Sequence, residues 1–224
     1  MKISVLTLFP DMFAGPFDHS IVKRAADRNL VSIQFVHIRD FASDKYRSVD
    51  GHPYGGGTGM ILRVDVVDRA LRSVRGTAKK EKVILLDAAG TTYRQAHART
   101  LSKLEHLILI CGHYEGVDER IKTLVDEELS IGDYVLTGGE IPAMVVVDSV
   151  VRLIPGVLKK PDATVHESFT KRLLEYPQYT EPREYEGKAV PDVLVSGNHK
   201  VILDWKDREA SAKTSSRRRD LLKK

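Results

Sequence analysis

The stretch "SIGDYVLTGGEIPAMVVVDSVVRLIPGVL", residues 130–158, changes character at its midpoint. Its first half is a glycine-punctuated loop carrying Asp133, Tyr134 and Glu140, and its second half is apolar except for Asp148 and Arg152. Three consecutive valines favour a strand, but residues 140–154 are too many for a typical one. Pro142 is tolerated in a first helical turn and Pro155-Gly156 supplies a stop, so the segment reads as a helix. A helix apolar on all sides is covered by a sheet or by another subunit, and a homodimer with this helix near the interface is expected.

Upstream, apolar runs with strand character recur as "KISVLTL", "VSIQFVHI", "VILLD" and "HLILIC". Between them lie helical patterns: "DHSIVKRAADRNL" with Ile21, Val22, Ala25 and Ala26, "VDVVDRALRSV" with Val66, Val67, Ala70, Leu71 and Val74, and the short "DERIKTLV". Strands alternating with helices predict an α/β domain with a largely parallel sheet. Ligands in such sheets gather at the carboxyl ends of strands, which directs attention to the loops after "VILLD" and "HLILIC".

After residue 158 the texture changes. Prolines, a lysine pair and polar residues read as a linker over 159–170, flexible without a partner, and 171–224 lacks the alternation of the first 158 residues. The tail beyond Asn198 looks helical, with Val201, Ile202 and Trp205 forming a stripe read as core. From Trp205 onward eight Lys or Arg face three Asp or Glu, so the tail carries +5 and the remaining residues sum to −1, giving the net charge of +4. Either this face meets a polyanion or it is a solvated terminal helix. No apolar run reaches the roughly 20 residues that cross a bilayer, no leader cleavage pattern opens the chain, and a cytoplasmic protein without a membrane partner is expected. The single cysteine, Cys111, excludes an internal disulfide and a cysteine-rich zinc site and reads as a small buried hydrophobe.

Three loops carry chemistry. "CGHYEGVDERI" and "SIGDYVLTGGE" each mix glycines with an aromatic and a carboxylate, and "DAAG" spans residues 87–90. Glycines let backbone N–H and C=O groups reach a ligand while aromatic or apolar side chains cover a flat base, so a cofactor pocket built from three loops is the leading reading. "PYGGGTGM", residues 53–60, is neither a phosphate loop nor a dinucleotide fingerprint, and serves either loop geometry or ligand contact. No nucleophile constellation or metal-ligand spacing emerges, leaving His97 and His113 as ordinary surface or loop histidines. Arg152 stands four residues after Asp148, the spacing of a helical salt bridge, yet a substrate oxygen would serve an arginine in so apolar a helix equally well.

Taken together, "LFPDMF", "VDGHPYGGGTGM", "CGHYEGVDERI", "IGDYVLTGGEIPAM", "RLIPGVL", "LLEYPQYT" and "VPDVLVSGNH" resemble the bacterial tRNA (guanine-N1)-methyltransferases, trefoil-knotted enzymes that act on guanosine 37 beside the anticodon. The resemblance covers nearly the whole chain. It implies a deep trefoil knot in the α/β domain, a linker, a small helical domain that grips tRNA rather than DNA, and a homodimer. It also implies S-adenosyl-L-methionine held by Leu86, Asp87, Gly112, Tyr114, Glu115, Ser130, Ile131, Gly132, Asp133, Tyr134, Val135, Leu136, Gly138 and Gly139, the backbone of 131–136 reading the adenine edge. Arg152 and Glu167 match the catalytic arginine and the general base, and Gly59, Ser168, Arg217, Arg218 and Arg219 fall where RNA is met. Family members have been associated with Mg²⁺, for which Glu115 is the candidate ligand. The chain departs from the family pattern in having "ESF" for Asp-Ser-Phe, Asp87 for a common serine, Glu181 for a frequent arginine, and a tail without the usual tryptophan and Gln-Ser. Two alternatives stay open on residues alone: methylation of another RNA, including at a ribose hydroxyl, and an RNA-binding protein that has lost catalysis.

Overall fold

The computed structural model describes residues 1–160 and 163–222. The chain forms two compact units, Met1–Lys159 and Lys160–Lys224. Pro161 and Asp162, part of the expected linker, and the terminal Lys223 and Lys224 lie outside the described residues.

The first unit is built on strands β1 (Lys2–Thr7), β2 (Ser32–His37), β5 (Glu81–Thr92), β6 (His106–Cys111) and β7 (Glu127–Ser130), with a two-residue ladder of β3 (Asp50–Gly51) and β4 (Ile61–Leu62) beside them. The five form one sheet in the order β2-β1-β6-β5-β7, every pair parallel. The fold class expected from the alternation is the one observed. β6 is buried at all positions, and its pleat splits the core. Leu107, Leu109 and Cys111 join one cluster, while Ile108 and Ile110 join the other. Helices α1 (Ser20–Asp27), α3 (Gln95–Leu101) and α4 (Glu140–Val151) contribute to the first cluster. Helix α2 (Val64–Val74) contributes Val66, Val67, Ala70, Leu71 and Val74 to the second, the five positions its spacing predicts.

Helix α4 ends one turn before residue 154, with Arg152 as its C-cap. The sheet covers only one side of it: Ala143, Val146, Val147, Val150 and Val151 are buried, whereas Ile141 and Val145 are 45% and 43% exposed. Asp148 is exposed and Arg152 half-buried, and the Arg152 N–H donates to Asp148 O at 3.2 Å. The "DERIKTLV" segment is a 3₁₀ helix, Glu119–Leu124, opened by the Asp118 carboxylate accepting the Arg120 N–H at 2.9 Å. "DAAG" is not a free loop but a bulge inside β5, where pairing with β7 shifts between Leu86 and Thr91. Gly90 is required there, because a Cβ would lie 2.5 Å from the Leu129 nitrogen.

At the amino ends of the strands, a Ser-His-Glu row escaped the sequence reading. Ser4 Oγ lies 2.8 Å from His106 Nε2, and His106 Nδ1 lies 2.7 Å from Glu81 Oε2. Ser4 is fully buried and also accepts from Gln34 Nε2 at 2.8 Å, so the row is closed to substrate and ties β1, β2, β5 and β6 together.

The second unit holds a hairpin of β8 (Glu184–Tyr185) and β9 (Lys188–Ala189), the short helix α5 (Asp192–Val195) and the 19-residue helix α6 (His199–Arg217). Trp205, Ala210 and Thr214 are its buried positions. The expected stripe is only partly core. Trp205 is buried, but Val201 is 47% exposed, since its turn opens the helix and the burial runs from Trp205 toward the carboxyl end. Thr214 Oγ1 accepts the Leu174 N–H at 2.8 Å and Lys213 Nζ donates to Glu175 O at 2.9 Å, holding the segment before the hairpin onto α6.

Replacing His106 with leucine strips Ser4 and Glu81 of their shared partner. The unfolding free energy should fall by about 1–3 kcal/mol in urea titration, and an unchanged midpoint would refute the structural role of the row.

Candidate active site

The carboxyl ends of β5, β6 and β7 open into one cavity of about 190 Å³. Its walls are Leu86, Asp87 and Ala88 from β5, residues 112–116 after β6, residues 129–132 around the end of β7, and residues 134–139 and Pro142 leading into α4. Thirteen of the residues expected at the cofactor therefore converge: Leu86, Asp87, Gly112, Tyr114, Glu115, Ser130, Ile131, Gly132, Tyr134, Val135, Leu136, Gly138 and Gly139. Asp133 does not line the cavity; it is exposed, carried outward where Gly132 turns the chain at φ +154°.

Close backbone approach sets the shape. Gly139 N–H donates to Gly112 O at 2.7 Å, and a Cβ on Gly139 would stand 2.7 Å from the Cys111 Cα. His113 and Gly138 form an antiparallel bridge beside this contact. Ser130 Oγ donates to Gly132 O at 3.0 Å and the Tyr134 hydroxyl donates to Ile131 O at 3.3 Å, which curls 130–134 over the cavity. Val135 is 90% exposed on that loop, an apolar surface free for a flat ligand. Asp87 Oδ1 accepts the Ala89 N–H at 2.8 Å, so this carboxylate also stabilises the bulge.

Tyr114 adopts φ +62°, a left-handed conformation that costs a non-glycine residue energy and is held by its surroundings. Partial burial and then the nearby Asp50 carboxylate raise its hydroxyl above the usual range, with Arg39 opposing. The glycine loop of residues 55–59 rests on the same wall. Gly59 has φ +82°, a side chain there would collide with Glu115, and Glu115 N–H donates to Met60 O at 3.1 Å. The candidate RNA-facing glycine thus abuts a cavity residue.

Glu140, the first residue of α4, is 1% exposed, and its Oε1 accepts the Thr7 hydroxyl at 2.7 Å. Burial, then the Glu140 charge, push the Cys111 thiol well above its ordinary range. His113 lines the cavity and is not the plain loop histidine expected. Its signal was its place inside "CGHYEG", directly after a buried strand. Ala88, Gly116, Leu129 and Pro142 also line the cavity outside the expected set, the first three each next to an expected residue. His97 is structural, its Nδ1 accepting the Arg94 N–H at 2.9 Å at the start of α3.

Arg152 stands at the end of α4 in the first unit, while Glu167 and Ser168 belong to the second. Glu167 lines a separate cavity of about 250 Å³ with Lys171, Tyr176, Leu203 and Lys206, and Ser168 Oγ accepts the Glu175 N–H at 3.0 Å. The three arginines of the tail differ. Arg218 is committed to Asp220 through Nε and Nη2 at 2.8 and 2.7 Å and lies 5.9 Å from the Phe169 ring centroid, whereas Arg217 and Arg219 are exposed. Among the described residues no group of three or more His, Cys, Asp and Glu converges on a metal position, and Glu115 has no such company. No helix among them is long and apolar enough to cross a membrane.

A parallel α/β sheet whose strand ends and glycine loops enclose a cavity defines a protein of the layered α/β class. The chain belongs to the tRNA (Guanine-1)-methyltransferase TrmD family, whose profile matches residues 1–224. It is 55% identical to the tRNA (guanine-N(1)-)-methyltransferase of Dictyoglomus turgidum over 224 residues, 100% of this chain and 91% of that protein. The enzymes of the same name from Shouchella clausii and Carboxydothermus hydrogenoformans are 51% and 50% identical, again over 100% of this chain and over 92% and 88% of their own lengths.

Cys111 should resist a thiol-directed alkylating reagent at pH 8 in the folded chain and react once the chain is unfolded in denaturant. Rapid labelling of the native protein, read by mass spectrometry, would contradict the buried, charge-opposed setting.

Proposed function

We propose that this chain moves a methyl group from S-adenosyl-L-methionine to N1 of guanosine 37 in tRNA. The observation that carries the reading is the convergence of the loops after β5, β6 and β7 on one cavity in a chain of this family. The cavity suits such a donor: Leu86, Leu129, Val135 and Leu136 offer apolar cover for a base, glycine backbone offers polar edges, and Asp87 and Glu115 bring negative charge for a sulfonium. When bound, the donor supplies a methyl group on a positively charged sulfur.

The chain's own residues do the rest. Guanine N1 carries a proton at neutral pH, and its lone pair becomes nucleophilic as that proton leaves. Glu167 is assigned to take the proton, its carboxylate having the basicity of the family's aspartate and one methylene more reach. Charge shifting onto O6 calls for a fixed donor, and Arg152, half-buried at the end of an apolar helix, is assigned that role. Gly59 and Ser168 are read as RNA contacts, and Arg217 and Arg219 as phosphate contacts, which position without reading sequence. Mg²⁺ is given no step.

The knot and the homodimer are part of the same reading. The close contact of residue 139 with 111–112 supports a chain threaded across the end of β6. Exposed Ile141 and Val145 on an otherwise apolar helix support a second copy covering α4. Placement in the cytoplasm follows from a tRNA substrate.

Labelled methyl transfer to tRNA transcripts should occur with guanosine at position 37 and vanish when that base is replaced. Glu167→Gln should lower kcat by about 10²-fold or more. Methylation found only on ribose, or full activity of the glutamine variant, would overturn the assignment. Ile141→Asp with Val145→Asp should convert a dimer to a monomer in sedimentation equilibrium, and a monomeric parent chain would end the dimer reading. Changing Arg217 and Arg219 together to alanine should weaken tRNA binding and flatten its salt dependence more than Arg218→Ala does.

A further inference from the structure

Glu140 and His113 meet behind the cavity wall in an unfinished contact. The Glu140 side chain is 2% exposed in the first turn of α4, and its Oε1 is satisfied by Thr7. Its Oε2 stands 3.7 Å from His113 Nδ1, beyond hydrogen-bond reach. Among the described residues, His113 Nδ1 is the buried side-chain polar atom without a hydrogen-bond partner. An unsatisfied buried nitrogen is costly, and the acceptor that would satisfy it is less than an ångström too far away.

The surroundings fit this pair and little else. A Cβ on Gly138 would overlap both Glu140 Oε2 and His113 Nδ1, so residue 138 must be glycine for the two to approach. Phe9 packs on the imidazole at 4.8 Å between centroids and Tyr114 meets it edge-on at 4.9 Å, which limits the ring to a small shift. On its other side His113 lines the cavity, with 19% of its side chain exposed, and it is bridged to Gly138 of the opposite wall.

We propose that His113 is a positioning residue for the methyl donor, closing onto Glu140 through an Nδ1–H to Oε2 hydrogen bond when the cavity fills. A ligand against the exposed side of the ring presses it toward Glu140, and the bond then fixes residues 112–114 against 138–140 with the cavity in its binding shape. The inference rests on the S-adenosyl-L-methionine reading of the cavity. It requires a proton on Nδ1, because the carboxylate is the acceptor.

Calorimetric titration with S-adenosyl-L-methionine separates the possibilities. Asparagine places an amide N–H near the Nδ1 position and glutamine near Nε2. His113→Asn should therefore bind the donor within about twofold of the parent, while His113→Gln and His113→Phe should bind about tenfold more weakly. In methyl transfer the loss should fall on KM for the donor, with kcat at saturation little changed. Long-range ¹H–¹⁵N correlation on the donor-saturated parent should show His113 protonated at Nδ1. An Nε2–H tautomer, or a phenylalanine variant that binds as tightly as the parent, overturns the positioning role and leaves the cavity reading standing. A parent chain that binds no S-adenosyl-L-methionine overturns both.

Discussion

The site depends on one close contact, the seating of the Gly139 backbone on the end of β6. With 2.7 Å between the Gly139 nitrogen and Gly112 O, and no room for a side chain against Cys111, the loop before α4 is pinned to the central strand of the sheet. That pin makes the loops after β6 and β7 opposite walls of one cavity. It also fixes where α4 begins, and so where Glu140 is buried and where Arg152 emerges eleven residues beyond α4's Ile141. A helix is rigid along its length, so anchoring its first turn at the cavity also sets the position of its last.

The two ends of the sheet show how burial separates chemistry from structure. At the amino ends, Ser4, His106 and Glu81 have the residue types and distances of a catalytic row, yet Ser4 is sealed and already doubly hydrogen-bonded. At the carboxyl ends, His113 lines the cavity with its buried Nδ1 lacking a hydrogen-bond partner. Satisfied polar groups in a closed core hold strands in register. An unsatisfied one beside a cavity marks a place where a ligand changes the balance, which is the physical basis for assigning His113 a role.

The proposed catalytic pair is divided between the two compact units, Arg152 in the first and Glu167 in the second. The cavity at the strand ends is lined by the first unit, while the proposed base and the proposed RNA-contacting arginines are carried by the second. The tail also shows that charge counting overstates what is available, because Arg218 is occupied by Asp220 while Arg217 and Arg219 remain exposed.

Local pattern by itself determined the layered fold. Strands buried on both faces read as short apolar runs and helices as period-3.6 stripes, so β1, β2, β6 and the five core positions of α2 were legible, and length with the Pro155-Gly156 stop settled α4 as a helix against its valines. The glycine loops that wall the cavity were legible too, since glycine in quantity after a buried strand has few other uses. Tertiary structure decided what depends on residues far apart in sequence: that "DAAG" is a bulge pressed on β7 and that Asp133 turns away from the cavity. The Thr7, His113 and Glu140 cluster likewise spans more than a hundred residues. Sheet order brings such groups together, and no local periodicity encodes it.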